Sequence, residues 1–123
     1  MKIRIYYEDT DLGGVVYHSK YLNFCERARS ELFFQRGKSP VYNGYHFVVK
    51  RLEADYITSA MFGDMLEVTT EVAELKRVSV TLRQKIYKKE QLIFELLVTL
   101  VCLKEQKPAK IPDYFLEIFA QTP

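Results

Sequence analysis

The chain has no tryptophan, and only two cysteines, two histidines, four prolines and five glycines in 123 residues. Two cysteines cannot supply the disulfide framework that holds small secreted scaffolds together. Cys25 and Cys102 both sit among apolar neighbours, so two buried, reduced thiols are expected. Long hydrophobic runs are missing as well. The longest, LLVTLVCL at 96–103, is far short of the ~20 residues that a membrane-spanning helix needs. The opening MKIRIYYEDT has no apolar stretch of the signal-peptide kind, so no transmembrane segment and a cytoplasmic location are expected. Neither sign of charge is in excess: 18 Lys and Arg against 16 Asp and Glu leave +2, too little to hold nucleic acid by bulk electrostatics. With no repeat, low-complexity tract or linker, residues 1–123 are expected to form one domain, long enough to bury a core without disulfide or metal.

Aromatic rings are abundant: nine Tyr and eight Phe predict an aromatic-rich core. Alternation over Lys2–Tyr7 predicts a short strand. From about Ser19 to Arg36 the period becomes helical, with Tyr21, Cys25, Ala28 and Leu32 on one stripe and Leu22, Phe24 and Phe33 widening it. Gly37 is placed as the helix C′ residue, and Pro40 prevents a restart. Strands follow at HFVVKRLEADYI, MLEVTTEVAEL, VSVTLRQKIY and LIFELLVTLVCL; the last is apolar on both faces and should be central or covered on each side. Pro112 is placed at N1 of a short terminal helix running through Phe119. One strand, one long helix and four strands with short connections imply an α+β fold, an antiparallel sheet of about five strands wrapped around the helix. Such a sheet leaves an open face and open edges, which favours a dimer over a monomer.

The chemistry concentrates between the first strand and the helix, in YYEDTDLGGVVYHSKY at 6–21. Three acids, Glu8, Asp9 and Asp11, suggest a calcium loop, but the bidentate acid such a loop requires falls at Lys20. One neighbouring histidine does not complete a zinc set, and no phosphate-loop pattern is present. Two readings stay open on these residues. In one, Asp11 and the glycines make a turn and cap the helix. In the other, a carboxylate beside a helix N-terminus works with exposed backbone N–H groups as an oxyanion hole for acyl transfer, needing no metal or other cofactor. Gly13 and Gly14 would then let the backbone approach a substrate, with Tyr7 and His18 orienting the partners.

The stretch YYEDTDLGGVVYHSKYLNFCERAR resembles the opening of the hotdog-fold acyl-CoA thioesterases of the 4-hydroxybenzoyl-CoA thioesterase type, and looks most like the YbgC-type branch associated with the Tol-Pal envelope system. That resemblance implies a hotdog fold, an acyl-CoA substrate and Asp11 as the catalytic carboxylate. It also implies an oxyanion donor at the His18 amide, a thioester loop shaped by Gly13 and Gly14, and supporting roles for Tyr7 and the His18 side chain. Glu26 and Arg29 match a motif read as structural, ion-paired at the dimer. The resemblance places the pocket between the subunits of a homodimer or a dimer of dimers. It assigns CoA contacts to a strand-turn-strand of the facing chain, here Lys76, Arg77 and Ser79, although this turn lacks the glycine of many relatives. Two rivals remain at this level: an adaptor that binds acyl groups or acyl carrier protein, and another hotdog enzyme such as a dehydratase.

Overall fold

The computed structural model describes residues 1–123. Strand β1 (Lys2–Arg4) leads into a single 3-10 turn (Tyr7–Asp9), and helix α1 (Lys20–Phe34) follows. Four long strands come next, β2 (Tyr45–Tyr56), β3 (Met65–Leu75), β4 (Ser79–Lys88) and β5 (Gln91–Lys104), then the two-residue β6 (Lys107–Pro108) and helix α2 (Asp113–Gln121). All strand pairs are antiparallel, in the order β1-β3-β4-β5-β2, with β6 on the end of β5.

The sheet curls around α1 because its alternation sends one side chain in two inward. On β4 these are Val80, Leu82, Gln84 and Ile86; on β5 they include Phe94, Leu96, Val98, Leu100 and Cys102, all buried. Against them α1 places Tyr21, Phe24, Cys25, Ala28 and Phe33. Breaks in register at Val49/Arg51 on β2, Val72/Glu74 on β3 and Ile86/Tyr87 on β4 add the local twist that a curled sheet requires. Strand β5 lies between β4 and β2, as expected of a segment apolar on both faces.

Helix α1 stops at Gly37, whose φ of 69° suits only glycine well; the Gly37 N–H donates to the Phe34 carbonyl at 3.0 Å and the Lys38 N–H to that of Phe33 at 2.9 Å. Helix α2 closes the sheet beside this end. Its Phe115 and Phe119 pack on Phe33 and Phe47, its Tyr114 stacks on Tyr42 at 3.9 Å, and Lys38 bonds the Tyr114 carbonyl and Glu117.

Three boundaries differ from the sequence reading. Strand β1 ends at Arg4, and Tyr7 lies in the 3-10 turn, because the Asp9 carboxylate takes the Tyr6 N–H at 2.9 Å and bends the chain. Helix α1 is shorter by a residue at its start and two at its end than the Ser19–Arg36 reading. Pro112 has an extended ψ of 157° and is the N-cap of α2, with Asp113 the first helical residue. Strand β2 also holds a surprise: it is exposed from Val48 to its end, with Val48, Val49, Leu52 and Tyr56 in solvent. Beyond the bridge from Tyr45 to Tyr42, its outer edge pairs with nothing in the chain.

Candidate active site

The loop between β1 and α1 folds back on itself. Thr10 bridges Val16, the Asp11 N–H donates to the Val15 carbonyl at 2.9 Å, and the Gly14 N–H donates to the Asp11 carbonyl at 3.1 Å. The Asp11 side chain closes the turn: its Oδ1 accepts the N–H of Gly13 at 2.8 Å and that of Val15 at 3.3 Å. Its other oxygen accepts no hydrogen bond from the chain. Gly14, at φ 79°, needs glycine for the reversal, and a Cβ on Gly13 would lie 3.4 Å from Asp11 Oδ1. Leu12, at the tip, is fully exposed.

The return limb is sewn to the β2–β3 connection: Val15 bridges Met61, the Val16 N–H donates to the Ala60 carbonyl at 2.9 Å and the Phe62 N–H to the Gly14 carbonyl at 3.0 Å. Ala60 is held in turn by its N–H bond to the Tyr21 hydroxyl at 2.9 Å. Burial raises the Tyr21 phenol above its ordinary range, so it stays neutral and able to accept. At the base of the connection, burial alone would raise the Asp64 carboxyl. Hydrogen bonds from Lys88 and the Met61 N–H, with the Lys88 charge, outweigh that and hold it below the usual range.

The three acids of the loop part company. Asp9 is buried, its Oδ2 on the Tyr6 N–H, its Oδ1 3.9 Å from Lys20 Nζ, and its carbonyl on the Tyr17 N–H at 2.9 Å. It ties the loop to the start of α1. Glu8 points to solvent and only Asp11 is both exposed and anchored. No three His, Cys, Asp or Glu side chains gather into a cluster fit for a metal ion.

Helix α1 begins uncapped. Asp11 bonds its own loop rather than the helix, and the Ser19 side chain makes no capping bond. The amides of His18 and Ser19 find no acceptor in the chain, which leaves two N–H donors at the positive end of the helix. The His18 ring is exposed against Tyr17 at 4.6 Å. Its carbonyl accepts the Tyr56 hydroxyl at 2.9 Å, a contact between residues 38 apart that no local pattern announces. Tyr7, 79% exposed, leans on Phe62 at 5.9 Å and makes no hydrogen bond to Asp11.

Lys76, Arg77 and Ser79 form the β3–β4 turn, closed by the Lys76 N–H on the Ser79 carbonyl at 2.8 Å. No residue of this turn has a positive φ, so it needs no glycine. Lys76 pairs with Glu74 at 3.3 Å, while Arg77 has no carboxylate partner. Strand β3 starts at Met65, just after Asp64 beside the loop, and runs away from it for 11 residues, roughly 35 Å, so one chain does not bring this turn to Asp11.

Sequence reading also passed over a cavity of about 530 Å³ between α1 and β2, lined among others by Glu26, Arg29, Phe33, His46 and Phe47. Arg29 is mostly buried and forms no ion pair; its Nη1 donates to the Gln84 Oε1 at 3.0 Å, and burial lowers its pKa against the opposing pull of the nearby Glu26 charge. Gln84, fully buried, donates onward to the Cys25 carbonyl at 2.9 Å and to Thr70 Oγ1 at 3.1 Å. Both cysteines are free and buried, and burial pushes the Cys25 thiol up to about 12, which removes it as a nucleophile near neutrality.

Comparison with known proteins agrees with this architecture. Residues 13–94 match the model of the thioesterase superfamily. The chain is 40% identical over 116 residues to the acyl-CoA thioesterase YbgC of Haemophilus influenzae, covering 89% of this chain and 85% of that one. It is 49% identical over 87 residues to the acyl-CoA thioesterase YbgC of Helicobacter pylori, a match spanning 71% of this chain and 65% of that protein's length. Among solved structures, the AQ1494 protein of Aquifex aeolicus superposes with a TM-score of 0.90 at 25% identity over 97% of both chains. A helix cradled by a curled antiparallel sheet is the hotdog arrangement of that superfamily. The chain belongs to the thioesterase superfamily, on its YbgC-like acyl-CoA thioesterase branch.

Proposed function

We propose that the chain hydrolyses acyl-CoA thioesters at the Asp11 loop, Asp11 acting on the thioester carbonyl while the helix start takes up the charge. The observation that carries this is the pairing of an anchored, exposed carboxylate with an uncapped helix whose first amides, at His18 and Ser19, have no acceptor. Asp11 either attacks the carbonyl carbon, forming an anhydride that water then opens, or removes a proton from the attacking water. On either route the carbonyl oxygen gains negative charge and the C–S bond breaks with CoA leaving as thiolate; its proton comes from the water, which Asp11 deprotonates on the second route and which opens the anhydride on the first. An amide donor at the oxyanion is typically worth ~2.7–4 kcal/mol. Gly13 and Gly14 give the thioester clearance, and Tyr7 and the His18 ring sit at the mouth.

The active unit in this reading is a homodimer or a dimer of dimers joined through the free edge of β2. Antiparallel self-pairing centred on Leu52 sets Arg51 opposite Glu53 of the partner subunit, and the converse, with Leu52 on itself, so the exposed strand complements its own charges. The same pairing sets Tyr56 opposite Val48 of the partner subunit. It thereby carries the start of α1 towards the α1–β2 cavity of the facing chain, which would receive the acyl group. Lys76, Arg77 and Ser79 would then come from the facing subunit to the nucleotide end of CoA.

Thiol release measured over short, long and aromatic acyl-CoAs tests the reading. Asp11→Asn should lower kcat by at least about a hundredfold with the fold intact. Equal turnover by the two proteins would remove Asp11 from the chemistry.

A further inference from the structure

The hydrogen bond from Tyr56 to the His18 carbonyl joins the last residue of β2 to the start of α1, and nothing in the proposed chemistry yet uses it. Three things make it more than a surface contact. The Tyr56 ring is fixed edge-on, at 5.7 Å from Tyr21 and 4.9 Å from Phe94, while Tyr21 stacks on Phe94 at 5.2 Å. Tyr21 also holds Ala60, whose carbonyl takes the Val16 N–H of the Asp11 loop, so one aromatic cluster positions both the acid loop and the helix start. Finally, the His18 carbonyl belongs to the peptide unit whose N–H is that of Ser19, and that N–H has no acceptor in the chain.

A peptide unit is planar and trans, so its C=O and N–H point in opposite directions. A donor fixed on the oxygen therefore fixes the N–H on the far side. The same bond draws electron density towards the oxygen and makes the N–H a better donor. It also opposes a flip of this unit, which would turn a carbonyl oxygen towards the place where negative charge develops. Resting on the thioesterase reading above, we propose that the Ser19 amide is a second donor to the oxyanion, beside that of His18, and that Tyr56 is the positioning residue that aims and polarises it. Tyr56 touches no reacting atom. Its hydroxyl acts through one peptide bond.

The test is Tyr56→Phe, which keeps the ring in its cluster and deletes only the oxygen. With the homogeneous full chain and an acyl-CoA that the wild type turns over, kcat should fall about tenfold with KM within twofold, at a temperature well below both melting midpoints. The Ser19 amide proton should move upfield in Tyr56→Phe without added substrate, a signature that general loosening would not confine to this residue. An unchanged kcat, or a raised KM with kcat preserved, overturns the proposal. An unmoved Ser19 amide does the same. If the wild type releases no thiol from any acyl-CoA, the thioesterase reading fails on its own, while the amide shift still reports whether Tyr56 polarises Ser19.

Discussion

Aspartates at four positions illustrate how one residue type is given different work by its surroundings. Asp9 is an internal strut, Asp11 an anchored acid with one oxygen unbonded, Asp64 an ion-paired clasp with Lys88, and Asp113 opens α2. Asp64 makes a titration prediction. Its carboxyl lies below the ordinary 3.8 in the folded chain, so the folded state binds its proton more weakly than the unfolded state. The stability it contributes is complete above the unfolded value and is lost as pH falls through the lower, folded one. Asp64→Asn should therefore be less stable than wild type in urea at neutral pH, by ~1 kcal/mol, with the gap narrowing as pH falls below 3.8. A gap that stays constant with pH would show that the carboxylate charge is not what holds the β2–β3 connection. At this scale the sequence was informative about the turn that Asp11, Gly13 and Gly14 make, because that turn is closed within one loop. Asp9 was read as one of three clustered acids; its burial beside Lys20 is a matter of packing, which no local pattern shows.

Among the elements, β4 departs most from its own pattern. Alternation places residue 84 inside, and a glutamine stands there, between Leu82 and Ile86. It is there for Arg29: without the Gln84 amide, a mostly buried guanidinium, a helix carbonyl and Thr70 would lose their shared partner. Replacing Gln84 by Met keeps the volume and removes the bonds, so a loss of about 2 kcal/mol is expected in chemical denaturation, with the slope unchanged. A neutral result would mean that water repairs the gap through the neighbouring cavity. Sequence pattern located every long element, and where one face alone is buried, as in α1 and β4, that burial is what writes a period into it. It erred at Tyr7 and Pro112, where a single hydrogen bond or a single ψ decides the boundary.

For the whole molecule the open question of the sequence, what covers the sheet edge, becomes a specific expectation about β2. A long strand exposed on both faces and unpaired along one edge invites pairing; Lys50, Arg51, Glu53 and Asp55 put both signs of charge on this one, while Val48, Val49, Leu52 and Tyr56 also face outward, a mixture that a second copy can cover. Sedimentation should find dimers or tetramers. Leu52→Glu, with Arg51→Glu added to break the proposed cross-pairs, should shift the population towards monomer and reduce thiol release with it. A monomeric wild type would leave the β3–β4 turn out of reach of Asp11 and remove Lys76, Arg77 and Ser79 from the CoA site. The sequence pointed to an open sheet edge without saying which strand carries it, because exposure of a strand is a property of the assembled sheet rather than of its alternation.

The register break between Val49 and Arg51 has a last implication for how this gene can vary. Lys50 is the odd residue in its strand, without a place of its own opposite β5. Its side chain lies in solvent, so Lys50→Ala should be silent in both stability and turnover. Loss of its codon is another matter. A strand one residue shorter must either close the break or exchange the inward and outward faces of Tyr45–Val49, taking Phe47 away from Phe33 and Phe115. A position indifferent to Lys50→Ala would then be intolerant of deletion, and a library that scores both should show that split at residue 50.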